Sequence, residues 1–268
     1  MKIYHYTSLE TLAKILQTKT IRFNRLDCVD DLAECGVSQY AKYVFVSCWT
    51  ESAEENIALW KMYTSDISQG VRISLPKDMF KTYPILKDPH LNTKLKYSLI
   101  PSEIEKNANY QVLPVDLATD NINEIFYRHI EYVRNPRLAV GAIRHQDFGK
   151  YGLGITLDVN RLGRFKEKCW EFQQEVRFAL TIFPFNPLKL VYRKDARDII
   201  TSSLEQKLDL PFSEYYLHLK DDIFEQLEIT LSPNISVESK QRVNALVNDY
   251  APNALIRNSS FCGRINLK

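Results

Sequence analysis

"WEFQQEVRFAL", residues 170–180, is the stretch whose reading decides the fold. A strand period of two places Trp170, Phe172, Val176, Phe178 and Leu180 on one face, interrupted by Gln174. Glu171, Gln173, Glu175 and Arg177 fall on the other. That predicts a strand on which Gln173 and Glu175 point the same way, about 6–7 Å apart. A Q-x-E pair so placed suits chemistry at an anomeric carbon. The carboxylate can hold a sugar hydroxyl and stabilise an oxocarbenium-like charge, while the amide positions the incoming nucleophile. The default for so short a motif is blander: a solvated strand face carrying a Glu–Arg surface pair.

A second polar position stands at the other end of the chain. Residues 2–6 alternate, with Ile3 and His5 on one face and Tyr4 and Tyr6 on the other. Thr7 and Glu10 read as a capping box, and Leu9, Leu12, Ala13 and Leu16 recur at helical spacing, which predicts a helix over 8–17. A half-buried strand histidine is ordinarily satisfied by a neighbouring carbonyl. The period of two nevertheless puts Thr7 on the His5 side, so an imidazole and a hydroxyl could be presented together.

Between these ends, "TIRFN" (20–24) reads as a short strand and "YVFVSCW" (43–49) as a strand buried on both faces. A helix is expected over 54–64 and a strand over 70–76, stopping at Pro76. Helical periodicity over 121–134 rests on Ile122, Ile125, Phe126, His129, Ile130 and Val133. Strands at "YYLHL" and "LEITLSP", a helix over "VESKQRVNALVNDY" and a last strand at "ALIRNSS" complete the reading. Strands and helices do not alternate strictly enough for a doubly wound sheet, and neither GxGxxG nor GxxxxGK[ST] occurs. The fold class predicted is α+β: one domain over residues 1–268 with mixed or antiparallel sheets and a helical insertion at about 100–150.

Composition sets bounds on function. Among the 268 residues, hydrophobic content of 45% and charged content of 25% are those of a globular chain. A net charge of +2 provides no global field for nucleic-acid or membrane binding. The five cysteines include no CxxC pair, which fits a reducing compartment better than a disulfide framework, and no zinc spacing or HExxH is present. No apolar stretch approaches the ~20 residues of a membrane helix, and the first residues lack the apolar core of a secretory signal. A cytoplasmic protein without a metal site is expected.

The chain from "YHYTSLETLAKILQTKTIRF" through "VFVSCWTES", "ALWKMYT", "GVRISL" and W-x-x-Q-x-E-x-R, on to "LEITLSP" and "IRNSS", resembles the bacterial domain-of-unknown-function family 2971. That family's acidic loop usually reads N-D-P-x-E; here Asp30-Asp31-Leu32-Ala33-Glu34 keeps the second and last acids only. The family's late strand usually carries a glutamate where Gln173 stands. The same constellation is similar to the ADP-ribosyltransferase fold. There an early-strand histidine holds an adenosine ribose hydroxyl or the nicotinamide amide, an aromatic stacks on nicotinamide, and Q/E-x-E lies on a late strand.

The resemblance implies His5, Gln173 and Glu175 as catalytic residues, with NAD as substrate. Thr7, Trp60 and Tyr63 would contribute to its binding. No serine–threonine–serine strand precedes Tyr63, a departure from that pattern. The resemblance further implies ADP-ribosyl transfer or NAD hydrolysis in a phage-defence or stress setting, with a protein or nucleic acid as acceptor.

Arg22 and Arg25 could meet a pyrophosphate, or could pair with the acidic loop. Asp27, Asp30, Asp31 and Glu34 could gather a divalent cation for a nuclease-like reaction, although an acidic loop is usually a solvated turn. Trp49, Trp60 and Trp170 are by default core. The basic run Arg161, Arg164, Lys166, Lys168 lies where the transferase fold meets its acceptor, and Arg161 and Arg164 are the candidate acceptor contacts. The rival from another class is a catalytically silent module that binds a nucleotide or a partner.

Overall fold

The first strand, Lys2–Ser8 (β1), runs directly into a helix, Leu9–Thr18 (α1), and the chain returns as Thr20–Arg25 (β2). A computed structural model describes residues 1–35, 39–84, 97–113, 126–141, 143–147, 153–158, 161–190, 192–265 and 267. Leu9, Leu12, Ile15 and Leu16 form the buried stripe that makes α1 a helix. Its N-cap is Ser8, whose hydroxyl accepts from the Thr11 amide at 3.2 Å, and not the predicted Thr7. Thr7 remains in β1 because it is still in register with Val71 across the sheet. Glu10 pairs with Lys14 on the surface instead of closing a capping box.

Val44–Thr50 (β3) is buried along its length except at half-buried Cys48. Ile57–Tyr63 (α2) follows, shorter than the 54–64 expected, because Asn56 caps it by accepting from the Ala58 and Leu59 amides. Gly70–Pro76 (β4) is the predicted strand. Short elements come next: Tyr83–Pro84 (β5), Tyr97–Ser98 (β6), Ser102–Asn107 (α3) and Gln111–Leu113 (β7). Tyr127–His129 (β8), Glu131–Val133 (β9), Pro136–Val140 (α4), Ile143–Asp147 (β10), Leu153–Leu157 (β11) and Phe165–Glu167 (β12) lead to the long strand Glu175–Phe183 (β13). The C-terminal third holds Ala196–Glu205 (α5), Glu214–His218 (β14), Glu228–Leu231 (β15), Val237–Tyr250 (α6) and Leu255–Asn258 (β16).

The helical insertion expected at about 100–150 is not what the described residues form. Among the described residues of that span the short α3, Phe126 and the short α4 are helical, and β7 to β10 are strands. From Tyr127 on, the helix predicted over 121–134 is replaced by β8 and β9; Phe126 is helical, and Ile122 and Ile125 lie outside the described residues. Pairing overrides the local periodicity. β8 completes an edge of β13, with Arg128 opposite Arg177, and Phe126 and Tyr127 pack on Phe178.

The architecture is α+β around a ten-stranded mixed sheet, ordered β14-β2-β3-β1-β4-β15-β16, with β13 pairing β3, β7 and β8. One face carries the large apolar core, in which Leu12 and Leu16 of α1 and Val243 and Val247 of α6 meet Phe45, Ile73 and Phe178. The other face carries a smaller cluster around Leu26, Val46, Leu162 and Phe165. Among the described residues, no helix is long and apolar enough to cross a membrane.

Candidate functional site

The site begins with a competition for one edge of β3. β13 takes the far edge in continuous register, from Glu175 opposite Thr50 to Thr181 opposite Val44. On the near edge, β2 pairs only at Phe45 and Val46, and β1 only at Thr50. β1 and β2 therefore part company along β3, and Ser47, Cys48 and Trp49 face the gap. A cavity of about 930 Å³ occupies this split and runs beside α1.

His5 and Glu175 both line the cavity, as do Thr7, Arg22, Tyr63 and Gln173. They enter it from different faces of the sheet. Tyr4, Thr50 and Glu175 are in register and share one face, so His5 projects to the other, where its ring lies 5.0 Å from that of Trp49. The His5 Nδ1 is 2.8 Å from the Cys48 carbonyl oxygen and donates to it, which leaves Nε2 as acceptor in the neutral ring. Burial lowers the His5 pKa more than this bond raises it, so the ring is neutral at pH 7.

The predicted strand over 170–174 is instead a 3-10 turn at Lys168–Gln173, closed by Gln174 in a left-handed conformation with φ of 44°. The strand starts at Glu175. Backbone alternation therefore does not align Gln173 with Glu175. Lys166 does, donating to Gln173 Oε1 at 2.7 Å and to Glu175 Oε2 at 2.9 Å. Gln173 Nε2 in turn donates to the Tyr63 hydroxyl at 2.8 Å.

The solvated Glu–Arg face expected as the default is equally absent. Arg177 donates through Nε to Glu175 and through Nη1 and Nη2 to Glu34, the last at 3.0 Å for Nη2. Lys166 also reaches Glu34 at 3.3 Å. None of Glu34, Lys166, Glu175 and Arg177 is more than 6% exposed. Two carboxylates and two cations balance, the condition for burying charge at tolerable cost. Burial pushes the Glu175 carboxyl up, but Arg177 and Lys166 outweigh it and hold the pKa at about 2. Burial and the nearby Glu175 push the Cys48 thiol up.

Other expected residues lie elsewhere. Trp60 is fully buried, edge-on to Tyr6, and its indole donates to Glu55 at 2.9 Å. Arg25 is clasped by Asp27 through two bonds of 2.7 and 2.6 Å and is not in the cavity lining. Arg22 lines the cavity and pairs with Glu214 at 3.1 Å. Arg161 donates to the Val140 and Ala139 carbonyls and stacks over Phe165. Arg164 pairs with Glu131 at 2.7 Å on the surface.

The acidic segment disperses: Asp27 turns to Arg25, Asp31 accepts from the Ala33 amide, Glu34 enters the buried cluster, and Asp30 lines the cavity. Among the described residues, no group of three or more His, Cys, Asp or Glu side chains is placed to hold a metal ion.

Sequence reasoning missed Glu34, Lys166 and Arg177 as members of the site. Glu34 and Arg177 are 143 residues apart, so no local pattern joins them. Arg177 was already on the Gln173–Glu175 face of the strand reading, and an alternate-position Glu-x-Arg was the available signal. In comparison with known proteins, the chain matches no family model, no curated protein and no solved structure.

Proposed function

We propose that the cavity binds NAD and that the protein cleaves the nicotinamide N-glycosidic bond, passing ADP-ribose to water or to a macromolecular acceptor in the bacterial cytoplasm. The observation that carries this reading is that Glu175, Gln173 and Tyr63 line one cavity formed where the sheet splits. His5 also lines it, but from the opposite face of the sheet and not from the Glu175 side that the transferase pattern leads one to expect. Its volume of about 930 Å³ lies at the upper end of the usual range for ligand sites. In the reaction the C1′–N bond breaks with its electron pair leaving on nicotinamide, and the nucleophile adds at C1′ and releases its proton to solvent. Glu175 is an anion throughout the neutral range and a poor proton acceptor, so its part is to hold a ribose hydroxyl and stabilise positive charge at C1′. Each carboxylate oxygen still has a free lone pair beyond its bond to Arg177 or Lys166. The neutral His5 Nε2 is an acceptor for a ribose hydroxyl or an amide N–H. The sequence resemblance to family 2971 and to the transferase fold points the same way, and the phage-defence or stress setting is proposed from that resemblance alone.

The test is incubation with NAD, with and without EDTA, following nicotinamide release. Release unaffected by EDTA is expected. Glu175→Asp keeps the charge balance but withdraws the carboxylate by one methylene, and should reduce release by roughly 100-fold or more. Full activity in folded Glu175→Asp protein would exclude the mechanism.

A second reading, a nucleotide-binding module without catalysis, is favoured by one observation: Glu175 is neutralised on both sides by buried cations. It predicts calorimetric binding of NAD with no nicotinamide released.

A further inference from the structure

We propose that Lys166 is the positioning residue of this site: its ammonium fixes the Gln173 amide and the Glu175 carboxylate in one arrangement, and Glu34 from the distant acidic segment holds it there. The assignment of a task to that arrangement rests on the NAD reading above; the positioning itself rests on geometry.

Three features of the chain make such a residue necessary. Gln173 ends a 3-10 turn, Gln174 is left-handed, and Glu175 begins a strand, so the backbone does not set the relation between the two side chains. Lys166, on β12, spans them at 2.7 and 2.9 Å with its side chain 5% exposed. A buried lysine here has no solvent alternative: its ammonium donates to Gln173 and Glu175, and its charge is further paired with Glu34 at 3.3 Å. Its ammonium also sits 4.9 Å from the centre of the Trp170 ring, a cation–π contact that closes the remaining side.

The bonds also fix which way the Gln173 amide points. With Oε1 on Lys166, Nε2 must face Tyr63, whose oxygen accepts, so the Tyr63 proton is directed to another partner. One cation thereby orders an amide, a carboxylate and a phenol on three different elements.

The other groups facing Glu175 do not substitute for it. Arg177 comes from the same strand and is shared with Glu34; the Cys48 thiol approaches from β3; and the Tyr132 hydroxyl on β9 accepts from the Glu175 amide at 2.7 Å, touching only the backbone. None of them bonds to Gln173.

Two variants with two readouts test this. Lys166→Met leaves one unbalanced carboxylate in the cluster, a charge cost that by itself destabilises the fold, so the double variant Lys166→Met/Glu34→Gln, which restores balance, is made beside it. In the wild type, NMR of side-chain amides should show Gln173 as one sharp, protected pair. In the double variant urea stability should largely return, while the Gln173 pair broadens or moves to the exchange rate of exposed amides. Nicotinamide release should stay roughly 10- to 100-fold below wild type despite the recovered fold. In Lys166→Met, where folded, the Glu175 carboxyl should titrate about one pH unit or more above its wild-type position. A double variant with an unchanged Gln173 signal, or one that regains turnover together with stability, overturns the proposal. If the wild type releases no nicotinamide, the NAD reading fails while the amide and carboxyl signals still decide whether Lys166 positions the pair.

Discussion

Arg22 and Arg25 stand three positions apart on one strand and meet different fates. Alternation turns Arg22 toward the cavity, where its pairing with Glu214 is half-exposed and exchangeable, whereas Arg25 is committed to Asp27 by a two-pronged bond. With ADP-ribose as probe, Arg22→Ala should weaken calorimetric binding by about 1.5–3 kcal/mol if the guanidinium takes a phosphate. Arg25→Ala should leave affinity essentially unchanged. Equal affinity of both variants and the wild type would remove Arg22 from the phosphate role. The sequence placed both arginines near an acidic segment but could not divide them, because the choice of partner depends on where the loop after β2 closes. His5 shows the same limit: its position on a strand was legible, but its neutral ring bonded to Cys48 follows from the splitting of β1 from β2, which is a long-range event.

At the scale of elements, strands β1, β2, β3 and β4 were legible because their apolar patterns match the face each one buries. So was α6, which spans the predicted Val237–Tyr250. The 3-10 turn before β13 was not, since no glycine or proline marks it and its left-handed residue is Gln174. A side chain in that conformation costs roughly 1–2 kcal/mol, a cost that glycine avoids. Gln174→Gly should therefore hold or raise the urea midpoint, and Gln174→Val should lower it by at least that amount. The valine variant should also disturb the Gln173 contacts with Lys166 and Tyr63, since the turn places Gln173. A valine variant as stable as the wild type would mean that the turn can be rebuilt as the straight strand the sequence suggests. The apolar spacing of residues 127–133 misled in the opposite direction, because Ile130 is buried between β8 and β9 and not along a helix face.

For the molecule as a whole, the buried ion cluster joins the acidic segment, β12 and β13, and its strength follows pH with a definite sign. The Glu175 carboxyl has an ordinary pKa of 4.5 in the unfolded chain and one of about 2 in the fold. A depressed folded pKa contributes stability that is fully present above the unfolded value and is lost as pH falls toward the folded one. Wild-type protein should accordingly hold this contribution above about pH 5 and lose it progressively toward pH 2. Glu175→Gln removes it at every pH and leaves Lys166 and Arg177 opposed only by Glu34. Breaking a buried pair in this way should cost about 3–5 kcal/mol at pH 7. The difference in urea unfolding free energy between the two proteins should therefore stay constant from pH 8 to about pH 5 and shrink below it, because protonated Glu175 and glutamine leave the same charge behind. Exposed pairs such as Glu10 with Lys14 add nothing comparable, since solvent screens them, and Glu10→Gln should leave the pH profile of stability unchanged. A wild-type-to-Glu175→Gln difference that remained constant down to pH 3 would show that Glu175 is not held as an anion by its two cations. The electrostatic role given to it in glycosidic cleavage would then lose its physical basis.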